Sequence, residues 1–315
     1  MQIYIITKSK TIDVSHLILK DLSLKYSLKN SPSILKLSLL YSLSDYDLSE
    51  GDAISIRYEQ SNLFYGYIFT INSNSDYITI TAYDQLRYLI HRDTYTYYNK
   101  KASDVIKNIC SEYGLTTGAI ADTSYIIPYR IEENQLLMDI FSTALELTQN
   151  FNNQKYLLYD NFGQITLTNY NSLILDFILD CQSLASDYSF TSSTDKNVYN
   201  SIKVSVKNQK TDIISTYLAE DPLNKSNWGF LRLFKRLSND YTPAQAKNYA
   251  DNLLQSYNVL HEQLQVSFHK FIDIRPGNSL NVILKNSVSK FMLVEQVSYS
   301  ISNSLVTTTI ILSNF

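Results

Sequence analysis

Apolar and polar residues alternate through most of positions 1–82, a pattern that predicts β-strands with one buried face. The clearest alternating segments are Leu35–Leu39, Ile54–Tyr58 and Tyr77–Thr81. A longer apolar stretch, Leu63–Ile71, contains Gly66, where a strand is expected to bend or bulge. We predict turns at Gly51-Asp52 and within Asn72–Ser75, followed by a short amphipathic segment over Tyr83–Leu89.

The period changes from two to 3.6 at about residue 93, which predicts helices. One helical face carries Ala102, Ile106, Ile109, Cys110 and Tyr113. Gly114 follows, where a helix commonly ends in a left-handed residue. After a predicted loop through Pro128, a second apolar stripe consists of Leu137, Ile140, Phe141, Ala144 and Leu147. Strands predicted at 155–159 and 164–169 join through a hairpin turn at Asp160–Gly163, so residues 93–185 should form an α+β module.

Alternation typical of β-strands returns after residue 186. It is clearest at Ile202, Val204 and Val206 and at Leu264, Val266 and Phe268. One predicted helix, at about 242–257, interrupts it. The start of this helix carries the clearest local signal in the chain, because Thr242 can cap it, Pro243 fits its first turn and Gln245 completes a capping box.

Two segments of the chain resemble each other weakly. Gly51–Ile56 and Gly277–Val282 each begin with Gly followed by Asp or Asn, and each precedes a polar turn and then a Thr-rich strand. A duplication of one β domain would produce this echo, and a coincidental match between two β meanders would produce it as well.

Composition excludes several classes of function. The chain has 315 residues with only 7 Gly, whereas an average chain of this length has roughly 22, and no glycine-rich phosphate loop occurs. With 44% hydrophobic and 18% charged residues it can bury a sizeable core in two or three domains. The 26 Tyr accompany abundant Asn, Ile and Lys, as codon bias in an AT-rich genome would produce, so they do not by themselves indicate sugar binding.

Charge is distributed unevenly along the chain. The net charge is −3, and residues 1–92, 93–185 and 186–315 carry 9, 5 and 13 basic against 9, 11 and 10 acidic residues. This balance disfavours nucleic acid and membranes as partners, while the acidic middle segment suits a basic partner or solubility. The apolar run after Met1 is too short for an export signal and no membrane span is predicted, so we expect a soluble cytoplasmic protein.

Residues with catalytic or metal-binding chemistry are few and scattered. The histidines are His16, His91, His261 and His269, and no two stand four positions apart. Cys110 and Cys181 lack nucleophile or metal-ligand spacing, so we expect buried free thiols. No G-x-S-x-G elbow occurs.

Two pairs of acids are candidates for a glycosidase site, although such enzymes set their two carboxylates by distance in the fold rather than by sequence spacing. Glu132-Glu133 precede a predicted helix whose dipole they would complement, and Asp45 and Asp47 lie in a turn-like stretch. Aromatic candidates for a sugar or protein platform are Trp228, Tyr95, Tyr97 and Tyr98. Core and interface packing explains these aromatics more simply, and we predict no catalytic, cofactor-binding or metal-binding residue.

A family resemblance is carried by the segment Ile78–Leu89, with sequence ITITAYDQLRYL, and by Asp93–Tyr97 and Lys101–Ile106 after it. These segments resemble baseplate hub proteins of Gram-positive contractile-tailed phages, defective prophages and phage-tail-like bacteriocins. Further similar segments are Tyr156–Leu167, Trp228-Gly229, Gly277–Val282 and Met292–Val297. The resemblance covers nearly the whole chain. Residues 297–309 lack two histidines that family members often have there, which favours a structural role for that strand.

The resemblance implies a mainly β fold in which two tail-tube-like β-barrel domains, at 1–92 and 186–315, flank a small acidic α+β insert at 93–185. It implies a non-enzymatic homotrimer, a symmetry adaptor that joins the hexameric tail tube to the three-fold central spike of an infectious phage or a DNA-free bacteriocin. Implied partners are further copies of the chain, the tail tube or tube-initiator protein, the spike, and a tape-measure and a LysM-type baseplate protein. Assembly in the bacterial cytoplasm and release within the tail particle would follow.

Two alternatives belong to other functional classes. The aromatic and acidic clusters suit a cell-wall carbohydrate-binding or peptidoglycan-degrading tail component. An adhesin-like surface protein is disfavoured by the lack of an export signal in the sequence.

Overall fold

Two compact units make up the chain. The larger consists of Met1–Tyr188 with Gln265–Ser313, and the smaller of Ser189–Leu264 with Asn314. The computed structural model describes residues 1–19, 22–28, 31–40, 48–182, 185–195, 197–208, 211–237, 241–284, 288–302 and 305–314. Asp45 and Asp47 lie outside the described residues. The three-domain division at residues 92 and 185 stays a prediction.

The strands expected in the first segment are confirmed. They are β1 Gln2–Ile6, β2 Thr11–Asp13, β3 Leu22–Ser27, β4 Ile34–Leu40, β5 Ala53–Tyr58, β6 Ser61–Ser73 and β7 Tyr77–Tyr83, followed by a 3₁₀ helix at Gln85–Leu89. In β4, Leu35, Leu37 and Leu39 are buried while the residues between them are not, because successive side chains of a strand point to opposite faces. At Gly66, a Cβ atom would collide with the Tyr83 carbonyl oxygen, so this position in β6 requires glycine.

The middle segment is the predicted α+β module, with more strands than expected. Its elements are β8 Arg92–Lys101, α1 Ala102–Glu112, β9 Thr117–Ile120, β10 Ile126–Leu136, α2 Leu137–Asn152, β11 Tyr156–Asp160, β12 Ile165–Asn169, a 3₁₀ helix at Tyr170–Leu173, and β13 Ile174–Asp180. The predicted loop through Pro128 was wrong, because that residue lies in β10, which pairs antiparallel with β8. A two-stranded ribbon has two free edges, and proline, which lacks an N–H, is tolerated there.

The remaining elements confirm the predicted capping of one helix and reveal a second. They are β14 Asp187–Ser193, β15 Ser201–Lys207, β16 Ile214–Glu220, α3 Pro222–Trp228, β17 Arg232–Arg236, α4 Pro243–Tyr257, β18 His261–Phe268, β19 Ser279–Ile283, β20 Ser289–Ser302 and β21 Leu305–Asn314. At α4 the Thr242 hydroxyl accepts from the Gln245 N–H at 3.3 Å. Our prediction of a single helix after residue 186 was wrong, because Asp221 caps α3 and Pro222 occupies its first turn.

One large sheet runs through the larger unit. Its strands follow the order β21-β20-β3-β4-β7-β6-β5-β1-β2, with β19 on β20 and β13 on β19. The link between the first and last parts of the chain is the antiparallel pair β3–β20, in which Leu24 lies opposite Tyr299. The mainly β fold with an α+β insert is therefore confirmed.

The two similar sequence segments, Gly51–Ile56 and Gly277–Val282, form a structural repeat. In the hairpin β5–β6, Ala53 lies opposite Tyr67. In β19–β20, Ser279 lies opposite Leu293. The two paired residues are separated by the same number of positions in both hairpins. The shared register, together with a matching turn before each hairpin, favours duplication over coincidence.

In the smaller unit, a three-stranded sheet of order β16-β15-β17 is covered on one face by α4. The buried contacts join Ile202 and Val204 of β15 to Ala246 and Ala250 of α4, all fully buried. The alternation seen in the sequence of β15 thus sets which face receives the helix.

Candidate functional site

The segment Tyr83–Leu89 begins where β7 ends, and hydrogen bonds to the Asp84 side chain hold it in place. The Asp84 carboxylate accepts from the Leu86 N–H at 3.0 Å and from the Ser33 N–H at 2.8 Å. The first bond caps the 3₁₀ helix, and the second ties it to the residue before β4. Asp84 is 2% exposed, so both bonds form away from solvent.

Gln85 connects this segment to the insert. Its side-chain carbonyl accepts from the Thr116 N–H at 2.9 Å, and its amide nitrogen donates to the Gly163 carbonyl oxygen. Gln85 is 2% exposed. One side chain therefore satisfies backbone groups from two separate loops of the insert, which a hydrophobic residue could not do.

The hairpin turn Asp160–Gly163 completes the connection. The Asp160 carboxylate accepts from the Gly163 N–H at 2.6 Å, and its other oxygen lies 3.4 Å from the amide nitrogen of Gln85. Gly163 has φ +83°, and a Cβ atom there would lie 2.6 Å from the Tyr65 ring. We call the set Tyr83–Leu89, Thr116 and Asp160–Gly163 the joint.

Burial of the two carboxyl groups dominates the electrostatics of the joint. Burial, reinforced by the charge of Asp160, raises the pKa of Asp84 to about 7. Burial also raises the pKa of Asp160, while hydrogen bonds from Gly163 and Gln85 and the charge of Arg275 oppose the rise. The Arg275 guanidinium donates to the Asn161 side chain at 3.2 Å.

A small cavity lies beside the joint. It measures about 50 Å³ and is lined by residues that include Tyr26, Asp160, Arg275 and Tyr299. This is room for a few water molecules, whereas ligand pockets generally measure about 300 Å³ or more. The polar groups of the joint bond to one another, so the arrangement holds the insert in place.

The residues that could act in catalysis or metal binding do not form an active site or a metal site. Among the described residues, no group of three or more His, Cys, Asp or Glu side chains could hold a metal ion. His91 packs against Tyr113, and the His269 ring lies 3.4 Å from the Thr307 hydroxyl. The prediction of buried free thiols is confirmed, since Cys110 and Cys181 are both free and buried. Burial raises the pKa of Cys110 to about 12 and that of Cys181 to about 11.

Glu132 and Glu133 do not form a carboxylate pair. Both lie in β10, beside an irregularity in its pairing with β8, and their surroundings differ. Glu132 is 6% exposed and accepts from the Arg130 Nε at 2.9 Å, while Glu133 is exposed. A bond between two charged groups explains the burial of Glu132 without a reaction.

The aromatic candidates have different surroundings. Tyr97 is 4% exposed within the core of the insert, and Tyr95 packs against that core. Tyr98 is 61% exposed and stacks on Tyr129 with ring centroids 4.6 Å apart. Trp228 belongs to the smaller unit. The four predicted aromatics therefore share no platform within either unit.

Sequence reasoning identified Tyr83–Leu89 as a family segment but missed what Asp84 and Gln85 do. Two polar residues between the apolar Tyr83 and Leu86 were an available signal for a capped turn. Nothing local indicated Thr116 or Asp160 as their partners. No helix in the described part of the chain is long and apolar enough to cross a membrane.

Comparison of the sequence with known families gives one family and two curated relatives. The sequence pattern of the family described as YQBQ-like matches residues 22–313. Uncharacterized protein YqbQ of Bacillus subtilis strain 168 is 28% identical over 209 residues, 66% of this chain. The phage-like element PBSX protein XkdQ of the same strain is 25% identical over 222 residues, 70% of this chain. The matches span 63% and 67% of the length of these relatives.

Solved structures share the fold. The prophage MuSo2 43 kDa tail protein from Shewanella oneidensis has a TM-score of 0.76 and 13% identity, covering 100% of this chain and 98% of its own. The E. coli c3393 protein has a TM-score of 0.57 and 10% identity, covering 95% of this chain and 74% of its own. It is described as a component of the type VI secretion system with structural similarity to the T4 tail proteins gp27 and gp5. At these identities the likeness establishes a common fold.

Proposed function

The chain belongs to the YQBQ-like family, and from this we propose that it is a structural baseplate hub protein of a contractile tail. The observation that carries the proposal is the whole-chain likeness to a prophage tail protein. In the proposed role, three copies form a ring that joins the hexameric tail tube to the three-fold central spike. The ring is part of the released tail particle of a phage or bacteriocin.

The repeated hairpin supports a role in matching symmetries. The hairpins β5–β6 and β19–β20 share one register, so each chain carries the same hairpin twice. Three copies then present six such hairpins to a hexameric tube. In this proposal residues 1–92 and 186–315 are the two tube-like barrels, and the acidic insert 93–185 lies outside the ring, apart from its last strand β13, which pairs with β19 in the large sheet.

The joint supports a structural rather than a catalytic role. Its side chains satisfy buried backbone groups, and both thiols have a raised pKa, which makes them poor nucleophiles at neutral pH. A component that transmits force between tube and spike benefits from an insert held by buried hydrogen bonds.

Mass photometry of the purified protein, alone and with its tube and spike neighbours, tests the proposal. Trimers or trimer-based assemblies are the expected species. A strictly monomeric particle under all of these conditions would contradict the hub role.

A second function, binding or degrading cell walls, is favoured by one observation, the exposed stack of Tyr98 on Tyr129. Turbidity of a cell-wall suspension tests it. The hub proposal predicts no clearing by the wild type, with the Glu132→Gln and Asp45→Asn variants identical to it. Clearing that either substitution abolishes would favour the second function.

A further inference from the structure

The smaller unit has a sheet face that α4 does not cover. Large apolar side chains on this face are exposed: Leu218 by 52%, Phe234 by 59% and Ile214 by 60%. Soluble monomers rarely leave such a cluster in water, and contiguous apolar patches mark sites of association.

Positive charge lies in the middle of this face. In the β-ladder, Lys203 of β15 is directly opposite Leu218 of β16 on one side and Phe234 of β17 on the other. Directly opposite residues share a face of the sheet, so the ammonium group lies between two apolar side chains. Arg236 follows in the next row, opposite Ser205. We call Ile214, Leu218, Lys203, Phe234 and Arg236 the basic face.

The charges at the rim of the sheet are neutralised, but these central charges are not. Arg232 bonds to Glu220 at 3.0 Å, and Lys207 to Asp212 at 2.6 Å. Lys203 and Arg236 form no ion pair with any residue that the structure describes. The basic face is therefore suited to an acidic, partly apolar partner.

The larger unit presents a surface of the opposite charge. Strand β13 pairs with β19 alone among the described strands, which makes it an edge strand. Ile174 and Ile178 are 51% and 54% exposed, and the pairing with β19 is irregular between them, at the position of Asp176. Asp176 is exposed as well, and we call these three residues the acidic strand.

We propose that the basic face of one copy docks on the acidic strand of a second copy. Each surface combines exposed apolar side chains with charge of one sign. The apolar pair of the basic face spans about 10 Å across three strands, and Ile174 and Ile178 lie about 7 Å apart along the sheet, because their partners Ser279 and Asn281 are two residues apart in β19. Docking pairs Lys203 with Asp176 and buries the flanking apolar groups of both copies.

Such a contact is heterologous, because the two surfaces are different patches of one chain. Heterologous contacts repeat head to tail, and they close into a ring where the rotation between copies is that of a closed symmetry such as the proposed three-fold. The inference rests on the proposed trimer and names surfaces that would hold it together.

Charge reversal tests the pairing. The variants Lys203→Glu and Asp176→Lys should each weaken self-association at least tenfold, measured by mass photometry and sedimentation over a concentration series. The double variant restores the opposite charges in exchanged positions and should recover most of the lost association. Lys247→Glu, an exposed residue on α4, is the matched control and should leave association unchanged.

The possible outcomes separate this inference from the proposed function. If the wild type is trimeric and both single variants associate as tightly, the docking is wrong and the hub role stands. If the double variant does not recover self-association although its near-ultraviolet circular dichroism is native, direct pairing of Lys203 with Asp176 is wrong. A wild type that is monomeric alone and with its neighbours overturns both.

Discussion

Gly51 and Gly277 occupy the same place in two turns that the chain repeats. Their φ angles are +91° and +93°, and each donates its N–H to the second strand of the hairpin that follows, at 2.8 and 2.9 Å. The next residue, Asp52 or Asn278, accepts in both turns from the N–H two positions before the glycine, at 2.9 and 2.8 Å. The two turns therefore share backbone conformation and hydrogen bonds.

The same pair of glycines gives a matched stability experiment, because their surroundings differ. A Cβ atom at Gly51 meets nothing within 4 Å, whereas one at Gly277 collides with the Leu157 side chain. Gly51→Ala should lower the free energy of unfolding by about 1 kcal/mol, the cost of a left-handed alanine. Gly277→Ala should lower it by about 1–3 kcal/mol more, because the core has to accommodate the methyl group.

Urea unfolding of the two variants and the wild type measures the difference. If both variants lose the same free energy of unfolding, the Leu157 side chain moves away from the new methyl group without an energetic cost. The double variant Gly277→Ala with Leu157→Ala is a further check, since removing the contacting side chain should take away the extra cost relative to Leu157→Ala alone.

Local signals in the sequence predicted those parts of the fold that depend on neighbours in the chain. The cap at Thr242 and the turn at Asp160–Gly163 were both found because each is completed within four residues. The strand β10 was missed because Pro128 disfavours a strand locally, and only pairing with β8 stabilises it there. The helix α3 was missed although Asp221-Pro222 carries a start signal similar to that of α4.

The joint could be predicted only in part for the same reason. Asp84 and Gln85 stand out as polar residues in an apolar segment, but Thr116 and Asp160 contact them through the tertiary fold. A single sequence carries no pattern that links such distant positions. The family resemblance marked the segment, and the structure supplied the partners.

Removing the Gln85 side chain should loosen the insert. Gln85→Ala leaves the Thr116 N–H and the Gly163 carbonyl oxygen without their side-chain partner, and we expect a loss of about 2–4 kcal/mol in the free energy of unfolding. Hydrogen exchange at the 160–163 turn should increase. Gln135→Ala, an exposed glutamine of β10, is the control and should change stability by less than about 0.5 kcal/mol. Similar losses in the two variants would contradict the role assigned to Gln85.

The two thiols should be unreactive in the folded protein. Cys110 is fully buried and Cys181 is 3% exposed, and burial raises the pKa of both. A thiol reagent at about pH 8 should therefore modify neither residue before unfolding and both in denaturant. Ser226→Cys adds an exposed thiol on α3 and serves as the positive control. Modification of a native thiol as fast as that of the control would contradict the burial.

Asp84 should make the protein less stable as the pH rises towards neutrality. Burial and the charge of Asp160 raise the pKa of Asp84 from 3.8 to about 7, so the folded state binds more protons than the unfolded state between these values. Its contribution to stability is fully present below about pH 4 and is lost as the pH rises through about 7. The slope this adds is at most about 1.4 kcal/mol per pH unit.

Thermal unfolding of the wild type and Asp84→Asn between about pH 5 and pH 7 compares proteins with and without this contribution, while Asp160, whose pKa burial also raises, is present in both. Glu220 acts outside that window, because its ion pairs lower its pKa to about 2 and its contribution is lost only as the pH falls through that value. Asp84→Asn cannot ionise, so its melting temperature should depend less on pH than that of the wild type, although losing one acceptor lowers it by a few degrees overall. Asp76→Asn, on an exposed turn, should keep the wild-type slope. An unchanged slope in Asp84→Asn would show that titration of the Asp84 carboxyl does not contribute to the pH dependence of stability.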